Sequence, residues 1–178
     1  MNNTLIFLRH ALTTIDLDIP SAEWDLSEQG KQEIQRIADS GVFDSIDILI
    51  SSDEKKAIRT AEPIARRLNL KIRSNPLFRE LDRKQIQSKD KTEYEIIVKQ
   101  VFEKKAQSIL GCETAENSLN RFKKGIKIIE ESFVNSKILI VSHGIILTLF
   151  RSDYLKWSPR KSFSEWKKLR FCEWFVIE

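Results

Sequence analysis

Residues 4–13, TLIFLRHALT, decide the fold, because they join an apolar run directly to a charged pair. Short apolar runs of this kind are typical of strands buried inside a parallel sheet. This run ends at Arg9 and His10 with no turn residue between them. A second run, KILIVSHG (137–144), ends in the same way at His143, and the chain contains only these two histidines.

Strands and helices alternate along the rest of the chain. The pattern predicts strands over residues 4–9, 46–51, 70–74, 137–142 and 170–178. It predicts a helix over residues 28–40, a second one that the sequence SSDE (51–54) opens and that runs to about Leu68, and further helices over residues 90–108, 114–134 and 145–155. Ser27 is expected to cap the first helix. Ser51 and Glu54 predict a capping box on the second, and Pro63 predicts a kink or a break within it. The alternation predicts an α/β three-layer sandwich, with a largely parallel central sheet and helices on both faces.

Composition narrows the class of protein. The 178 residues are 41% hydrophobic and 31% charged, which fits a single domain over residues 1–178. No run is long enough to span a bilayer and no secretory signal is visible, so we expect a cytoplasmic protein without a membrane partner. Cys112 and Cys172 are too few for a disulfide framework or a zinc cluster. The net charge is +4, but cations and acids are interleaved, which favours a small anionic substrate over nucleic acid.

The two histidines are expected to meet. Ligands of parallel α/β sheets bind at the carboxyl ends of strands, and both histidines follow such ends. Gly144 leads from His143 into a helix whose first amides can face an anion. Lys56 and Arg59 lie on the helix that follows another strand, so their side chains are candidate anion ligands. These positions together predict a phosphate-handling site.

The motifs resemble those of the histidine phosphatase superfamily, also called phosphoglycerate mutase-like. LIFLRHALT is similar to its RHG signature, LSEQGKQEIQRIADS to its first helix and ISSDEKKAIRTAEPIARRL to its SSP..RA.QTAE.IA stretch. LFRELDR resembles the segment that carries the acid, GCETAENSLNRF resembles GES....R, and ILIVSHG resembles the vsHG motif. The order and spacing agree from residue 4 to about 150, and the resemblance implies a phosphoglycerate mutase-like fold.

The resemblance also implies a role for each matching residue. His10 would be the nucleophile that accepts the phosphoryl group, Arg9 would hold the phosphoryl oxygens, and His143 would stabilise the charge that develops in transfer. Glu80 would protonate the leaving group and later activate water. A neutral imidazole is a competent nucleophile near pH 7, and clustered cations supply most of what phosphoryl transfer needs. No metal and no cofactor is expected.

Several positions depart from the family pattern. Ala11 stands where the signature has glycine, and alanine does not tolerate a positive φ. Lys56 aligns with the second phosphate-binding arginine, although it cannot form the planar fork of arginine, and Arg59 is the other candidate for this role. Asp16 falls where some members carry a phosphate-binding asparagine, and its charge would repel phosphate. Asp82 is a rival of Glu80, which the alignment favours.

The chain length favours hydrolysis. Only about thirty residues separate Glu80 from the GCET motif, which resembles the small phosphatase branch rather than the mutases with their longer insertions. We therefore expect a phosphatase that acts through a phosphohistidine on a small phosphorylated metabolite or a phosphoprotein. The alternatives are a mutase-type phosphotransferase and a catalytically weak module that binds phosphorylated ligands.

Overall fold

The computed structural model describes residues 3–83 and 90–177, and its centre is a five-stranded sheet. The strands are β1 (Thr4–Arg9), β2 (Ile48–Ser51), β3 (Ile72–Ser74), β4 (Lys137–Ser142) and β5 (Trp174–Ile177). Their order across the sheet is β3-β2-β4-β1-β5. Only β5 runs antiparallel to its neighbour among these strands. The predicted α/β fold with a largely parallel sheet is confirmed.

Six α-helices connect and cover these strands in the described part of the chain. They are α1 (Glu28–Asp39), α2 (Lys55–Leu68), α3 (Lys91–Glu103), α4 (Ala115–Ser132), α5 (Gly144–Tyr154) and α6 (Pro159–Lys168). Short 3₁₀ turns occupy Ser21–Glu23 and Pro76–Phe78. As predicted, the Ser27 side chain caps α1 by accepting a hydrogen bond from the Gly30 N–H. None of these helices combines the length and apolarity needed to cross a bilayer.

At α2 the predicted capping box is wrong, and of the kink or break predicted at Pro63 the break is wrong. The Ser51–Glu54 capping box does not form, because the Ser51 hydroxyl donates to the Ser52 carbonyl and no side chain caps the helix. The helix is also not broken at Pro63, since it runs continuously over 55–68. Pro63 is itself buried in the helix face that packs into the core, and this packing opposes the disruption that proline causes.

The sheet separates two apolar layers. Successive side chains of a strand point to opposite faces, so Phe7 lies in one layer and Leu8 in the other. The Phe7 layer also contains buried residues of α3, α4 and α5, whereas the Leu8 layer contains those of α1 and α2. Burial on both faces explains why the central strands read as continuous apolar runs.

The register of β1 and β4 positions the site. The two strands are parallel neighbours in which Arg9 pairs with Ser142. The His10 N–H then donates to the Ser142 carbonyl at 2.9 Å, one residue beyond the end of β1. His10 and His143 therefore leave the same edge of the sheet side by side.

Candidate active site

His10 is held as a neutral imidazole with one free nitrogen. Its Nδ1 lies 2.8 Å from the Ala11 carbonyl oxygen, which can only accept, so Nδ1 carries the proton. Nε2 of a neutral ring is then left with a lone pair. Burial, followed by the neighbouring His143, Arg9 and Lys56, holds the pKa of His10 well below its usual range. The ring is thus in the form that a nucleophile requires.

The glycine-to-alanine departure at position 11 is accommodated by the backbone. Ala11 does not adopt a positive φ, so a Cβ causes no strain there. Its N–H donates to the Thr60 hydroxyl of α2 at 2.9 Å, and the residue is fully buried. The residue that follows His10 is therefore anchored to α2.

His143 lies beside His10, and the two ring centroids are 5.2 Å apart. Its Nε2 is 2.9 Å from the Ser52 hydroxyl, which follows β2, whereas its buried Nδ1 has no hydrogen-bond partner in the described residues. Burial, followed by the charges of Lys56, Arg83 and other arginines, lowers the pKa of His143 well below its usual value. Three parallel strands thus contribute to one cluster.

Arg9 crosses over the first residue of α5. A Cβ on Gly144 would lie 3.1 Å from the Arg9 guanidinium carbon, so a residue without a side chain allows this approach. The guanidinium donates to the Leu169 carbonyl and lies 4.1 Å from the centroid of the Phe171 ring. Its Nε is buried and has no partner among the described atoms. Arg9 is therefore fixed with one donor unused.

Lys56 is buried and paired with a carboxylate that the sequence did not single out as part of the site. Its ammonium donates to the Glu54 carboxylate and, at 2.6 Å, to the Ser21 carbonyl. The second oxygen of Glu54 lies 3.4 Å from Nε2 of His143 and accepts the Glu80 N–H at 2.8 Å. Glu54 therefore offsets the charge of the lysine and connects it to both His143 and Glu80.

Glu80 lies at the N-terminus of α5. Its carboxylate accepts the N–H groups of Ile145 and Ile146, each at 2.9 Å, and that of Leu81 at 2.9 Å. Backbone donors and the positive end of the helix dipole stabilise negative charge at this position. The predicted acid or base is thus held close to His143, the residue that precedes α5.

These groups border a cavity of about 1030 Å³. Its charged lining comprises Arg9, Lys56, Arg79, Arg83, Arg121, Glu54, Glu80, Asp82 and Glu113. Aromatic walls come from Trp24, Tyr94, Trp166 and Phe171. A cavity of this size takes a whole metabolite, not only a phosphate ion. In the described ranges, no cluster of three or more acidic, histidine or cysteine side chains is arranged to hold a metal ion.

The structure brings together most of the predicted site residues. Arg9, His10, Lys56 and Glu80 line the cavity, and His143 lies directly beside His10. Arg59 is not among the lining residues, and its exposed guanidinium pairs with Glu62 of the same helix and lies 4.0 Å from Asp25. The position of Arg59 thus does not support the phosphate-binding role predicted for it.

Asp16, at the position of a phosphate-binding asparagine, and Asp82, the rival of Glu80, lie in different places. Asp16 is exposed, its carboxylate accepts the Asp18 N–H and it does not line the cavity. Asp82 lines the cavity, and its backbone pairs with Glu113. Glu80 is the carboxylate bonded to the start of α5, which agrees with the choice of Glu80 over Asp82.

Sequence reasoning missed the residues that support Glu80 from behind. Arg121 of α4 donates to the carbonyls of Leu77, Arg79 and Glu80 and also pairs with Glu113. It therefore fixes the segment that carries Glu80. The signal was present, because Arg121 is the arginine of the GCETAENSLNRF motif, but the motif does not reveal which backbone it holds.

Comparison with known proteins agrees with this geometry. A sequence model of the histidine phosphatase superfamily, branch 1, matches residues 5–173 and confirms both the predicted family and the predicted class of enzyme, a histidine-type phosphatase. No curated protein sequence matches the chain.

Solved structures share the fold at low sequence identity. Bacillus stearothermophilus YhfR is 18% identical with a TM-score of 0.80, and the match covers 99% of this chain and 91% of that protein. A mycobacterial glucosyl-3-phosphoglycerate phosphatase is 18% identical with a TM-score of 0.77, covering 97% and 88%. Entamoeba histolytica phosphoserine phosphatase, in complex with 3-phosphoglyceric acid, is 19% identical with a TM-score of 0.75, covering 98% and 89%.

Proposed function

The chain belongs to the histidine phosphatase superfamily, and on this premise we propose that it hydrolyses phosphomonoesters through a phosphohistidine on His10. One observation carries the proposal. Two buried side-chain nitrogens, Arg9 Nε and His143 Nδ1, lack partners in the described structure, and both belong to residues that flank His10. Buried polar atoms are normally paired, so the unpaired N–H of Arg9 points to a ligand that supplies an acceptor oxygen, as does Nδ1 of His143 in the tautomer that carries its proton there. A phosphoryl group has that chemistry.

In the first step, Nε2 of His10 attacks phosphorus and the bond to the leaving oxygen breaks. The hydrogen bond from Nδ1 to the Ala11 carbonyl stabilises the positive charge that the ring gains. The leaving oxygen takes up a proton that enters with the monoanion of the phosphomonoester and is passed on by Glu80, which is a carboxylate before and after this step. Arg9 neutralises charge on the equatorial oxygens, which is the main requirement of phosphoryl transfer.

In the second step, water attacks the phosphohistidine and the nitrogen–phosphorus bond breaks. Glu80, a carboxylate held by backbone N–H groups, accepts the proton of the water. His143 donates through Nδ1 to a phosphoryl oxygen when the Ser52 hydroxyl donates to its Nε2. Lys56 adds a positive charge that Glu54 partly offsets.

The proposed substrate is a small phosphorylated metabolite. The cavity extends well beyond the histidines and is walled by aromatic rings, so it has room for an organic group attached to the phosphate. The fold neighbours named above include a phosphoserine phosphatase and a glucosyl-3-phosphoglycerate phosphatase, which supports a metabolite of this size.

The test is release of inorganic phosphate from p-nitrophenyl phosphate. We expect steady release without any bisphosphate primer, and a loss of about 10³-fold or more in His10→Ala, because a nucleophile has no substitute. Arg59→Ala, which alters a cation outside the cavity, is the matched control and should retain activity.

Two outcomes contradict the proposal. Turnover that requires a bisphosphate primer would identify a mutase instead. Absence of hydrolysis across a panel of phosphomonoesters, with phosphate still bound in calorimetry, would identify a binding module.

A further inference from the structure

The cations around the cavity fall into two groups. Lys56 pairs with Glu54, Arg79 with Asp53 and Arg121 with Glu113, so a carboxylate already offsets each of these charges. The remaining cavity-lining cations with no carboxylate at ion-pair distance among residues 3–83 and 90–177 are Arg9 and Arg83. Arg9 serves the reacting phosphoryl group, which leaves Arg83 without a role in the chemistry.

Arg83 is held by a neutral partner. Its guanidinium donates to the Tyr94 hydroxyl at 2.6 Å and lies 5.3 Å from the centroid of the same ring. Tyr94 belongs to α3 and packs edge-on against Trp166 of α6, with ring centroids 5.9 Å apart. Both rings line the cavity with Arg83, so one aromatic wall fixes the arginine.

The positive charge of Arg83 also acts on His143, beside the proposed nucleophile. Arg83 contributes to the lowered pKa of His143, after burial and Lys56, which places its charge within electrostatic reach of that histidine. Burial opposes the charge of Arg83, whereas Glu80 and Glu54 favour it from beyond ion-pair distance and keep the pKa of the guanidinium raised, so the charged arginine still lacks a directly bonded anion among residues 3–83 and 90–177. Arginine is also the side chain best shaped to bind a carboxylate or phosphate through two parallel hydrogen bonds.

We propose that Arg83, oriented by Tyr94, binds a second anionic group of the substrate, so that the enzyme selects phosphomonoesters that also carry a carboxylate or a second phosphoryl group. This inference rests on the proposed function and narrows its substrate class. The phosphoryl group to be cleaved lies at His10, and the second anion lies at the aromatic wall. Arg83 then determines specificity rather than the rate of the chemical step.

The test compares substrates matched in size but not in charge. 3-Phosphoglycerate and glycerol 3-phosphate differ by a carboxylate in place of a hydroxymethyl group. Fructose 1,6-bisphosphate and fructose 6-phosphate differ by the second phosphoryl group. We expect kcat/KM to favour the more anionic member of at least one pair by about tenfold or more, the value of a charged hydrogen bond. The pair that shows the preference identifies the second anion.

Arg83→Gln should reduce that ratio to near one, and Arg83→Lys should leave an intermediate ratio, because lysine keeps the charge but not the fork. Arg73→Gln, at an exposed arginine outside the cavity lining, is the matched control and should keep the wild-type ratio. A wild-type ratio near one in both pairs, or a ratio unchanged in Arg83→Gln, overturns the inference.

A binding measurement separates this inference from the proposed function. If the second anion is a carboxylate, calorimetry on the His10→Ala protein should show about tenfold tighter binding of 3-phosphoglycerate than of glycerol 3-phosphate. If it is a phosphoryl group, fructose 1,6-bisphosphate should bind about tenfold more tightly than fructose 6-phosphate. The preference should disappear when Arg83→Gln is added. If wild-type protein releases no phosphate but this binding preference holds, the proposed hydrolysis fails and the anion site stands.

Discussion

At the scale of single residues, Lys56 and Glu54 form a buried ion pair within the site. Both side chains are almost fully buried, at 3% and 7% exposure, so solvent screens their interaction little. A carboxylate next to the lysine reduces the positive potential that a phosphate dianion in the cavity would meet. The same carboxylate lies 3.4 Å from His143, so its charge acts on two site residues at once.

We predict that Glu54→Gln tightens binding of inorganic phosphate by about tenfold or more, since unit charges a few ångströms apart interact by several kcal/mol at low polarity. Glutamine keeps only one oxygen, which can accept from Lys56 or from the Glu80 N–H but not from both, because these donors bond different oxygens of Glu54. The variant should nevertheless lose about 3 kcal/mol of stability, because a buried lysine is left without a counter-charge. Calorimetric titration with phosphate and urea unfolding measure the two effects.

Glu62→Gln is the control for this prediction, because Glu62 lies on the same helix and pairs with Arg59 outside the cavity. It should bind phosphate like the wild type and unfold within about 0.5 kcal/mol of it. Unchanged or weaker phosphate binding by Glu54→Gln would show that Glu54 does not oppose the anion.

At the scale of elements, the sequence predicts strands and helices well where burial dictates the pattern. β1 and β4 are buried on both faces and were predicted residue for residue. α6 was missed, because its charged residues resembled a surface loop, although Ser158 caps it and Pro159 begins it. At α2, Glu54 was interpreted as a capping residue, whereas its carboxylate binds Lys56. The other oxygen of Glu54 accepts the Glu80 N–H, a contact across 26 residues that a local pattern cannot show.

The site residues, too, divide into those that the order of elements predicts and those that depend on distant contacts. Strand ends that are adjacent in a parallel sheet bring His10 and His143 together, and this much follows from the order of elements. In contrast, the Ser21 carbonyl that accepts from Lys56 and the Tyr94 hydroxyl that accepts from Arg83 come from residues more than ten positions away in the sequence. No sequence pattern therefore singles out Arg83, and its position in the cavity lining is apparent only from the structure.

The first turn of α1 packs against the loop that follows His10. A Cβ on Gly30 would lie 2.2 Å from the Leu12 carbonyl oxygen, so the helix packs directly against the loop that follows His10. The Ser27 N–H donates to the same carbonyl at 2.9 Å. Glycine in this helix therefore serves close packing, despite its poor helix propensity.

We predict that Gly30→Ala destabilises the protein by about 1–3 kcal/mol, because the new methyl group must displace backbone rather than a flexible side chain. It should also reduce kcat, since the displaced loop begins at His10. Urea unfolding and phosphate release measure both effects. Gln32→Ala, at an exposed position of the same helix, is the control and should be neutral or slightly stabilising. A Gly30→Ala variant as stable as wild type would contradict the packing argument.

At the scale of the whole molecule, two buried neutral imidazoles link folding to pH. Burial first, and then nearby side chains, hold the pKa of both His10 and His143 well below 6.5 in the folded protein. The unfolded chain has ordinary imidazoles and takes up protons near pH 6.5. Stability from these groups is therefore fully present above that pH and declines as pH falls, by up to about 1.4 kcal/mol per pH unit for each ring.

We predict that the free energy of unfolding in urea falls by about 2.5–3 kcal/mol between pH 7.5 and pH 5.5, since the two rings contribute about equally and carboxylates with ordinary pKa values titrate mostly below this range. His10→Asn should remove about half of the decline, because it leaves His143 as the chain's remaining histidine. Nitrogen chemical shifts of the imidazoles should show both rings still neutral at pH 6, where an ordinary histidine is about three-quarters protonated. A stability that is flat down to pH 5.5, or rings that titrate near 6.5 in the folded protein, would show that burial does not keep His10 and His143 neutral.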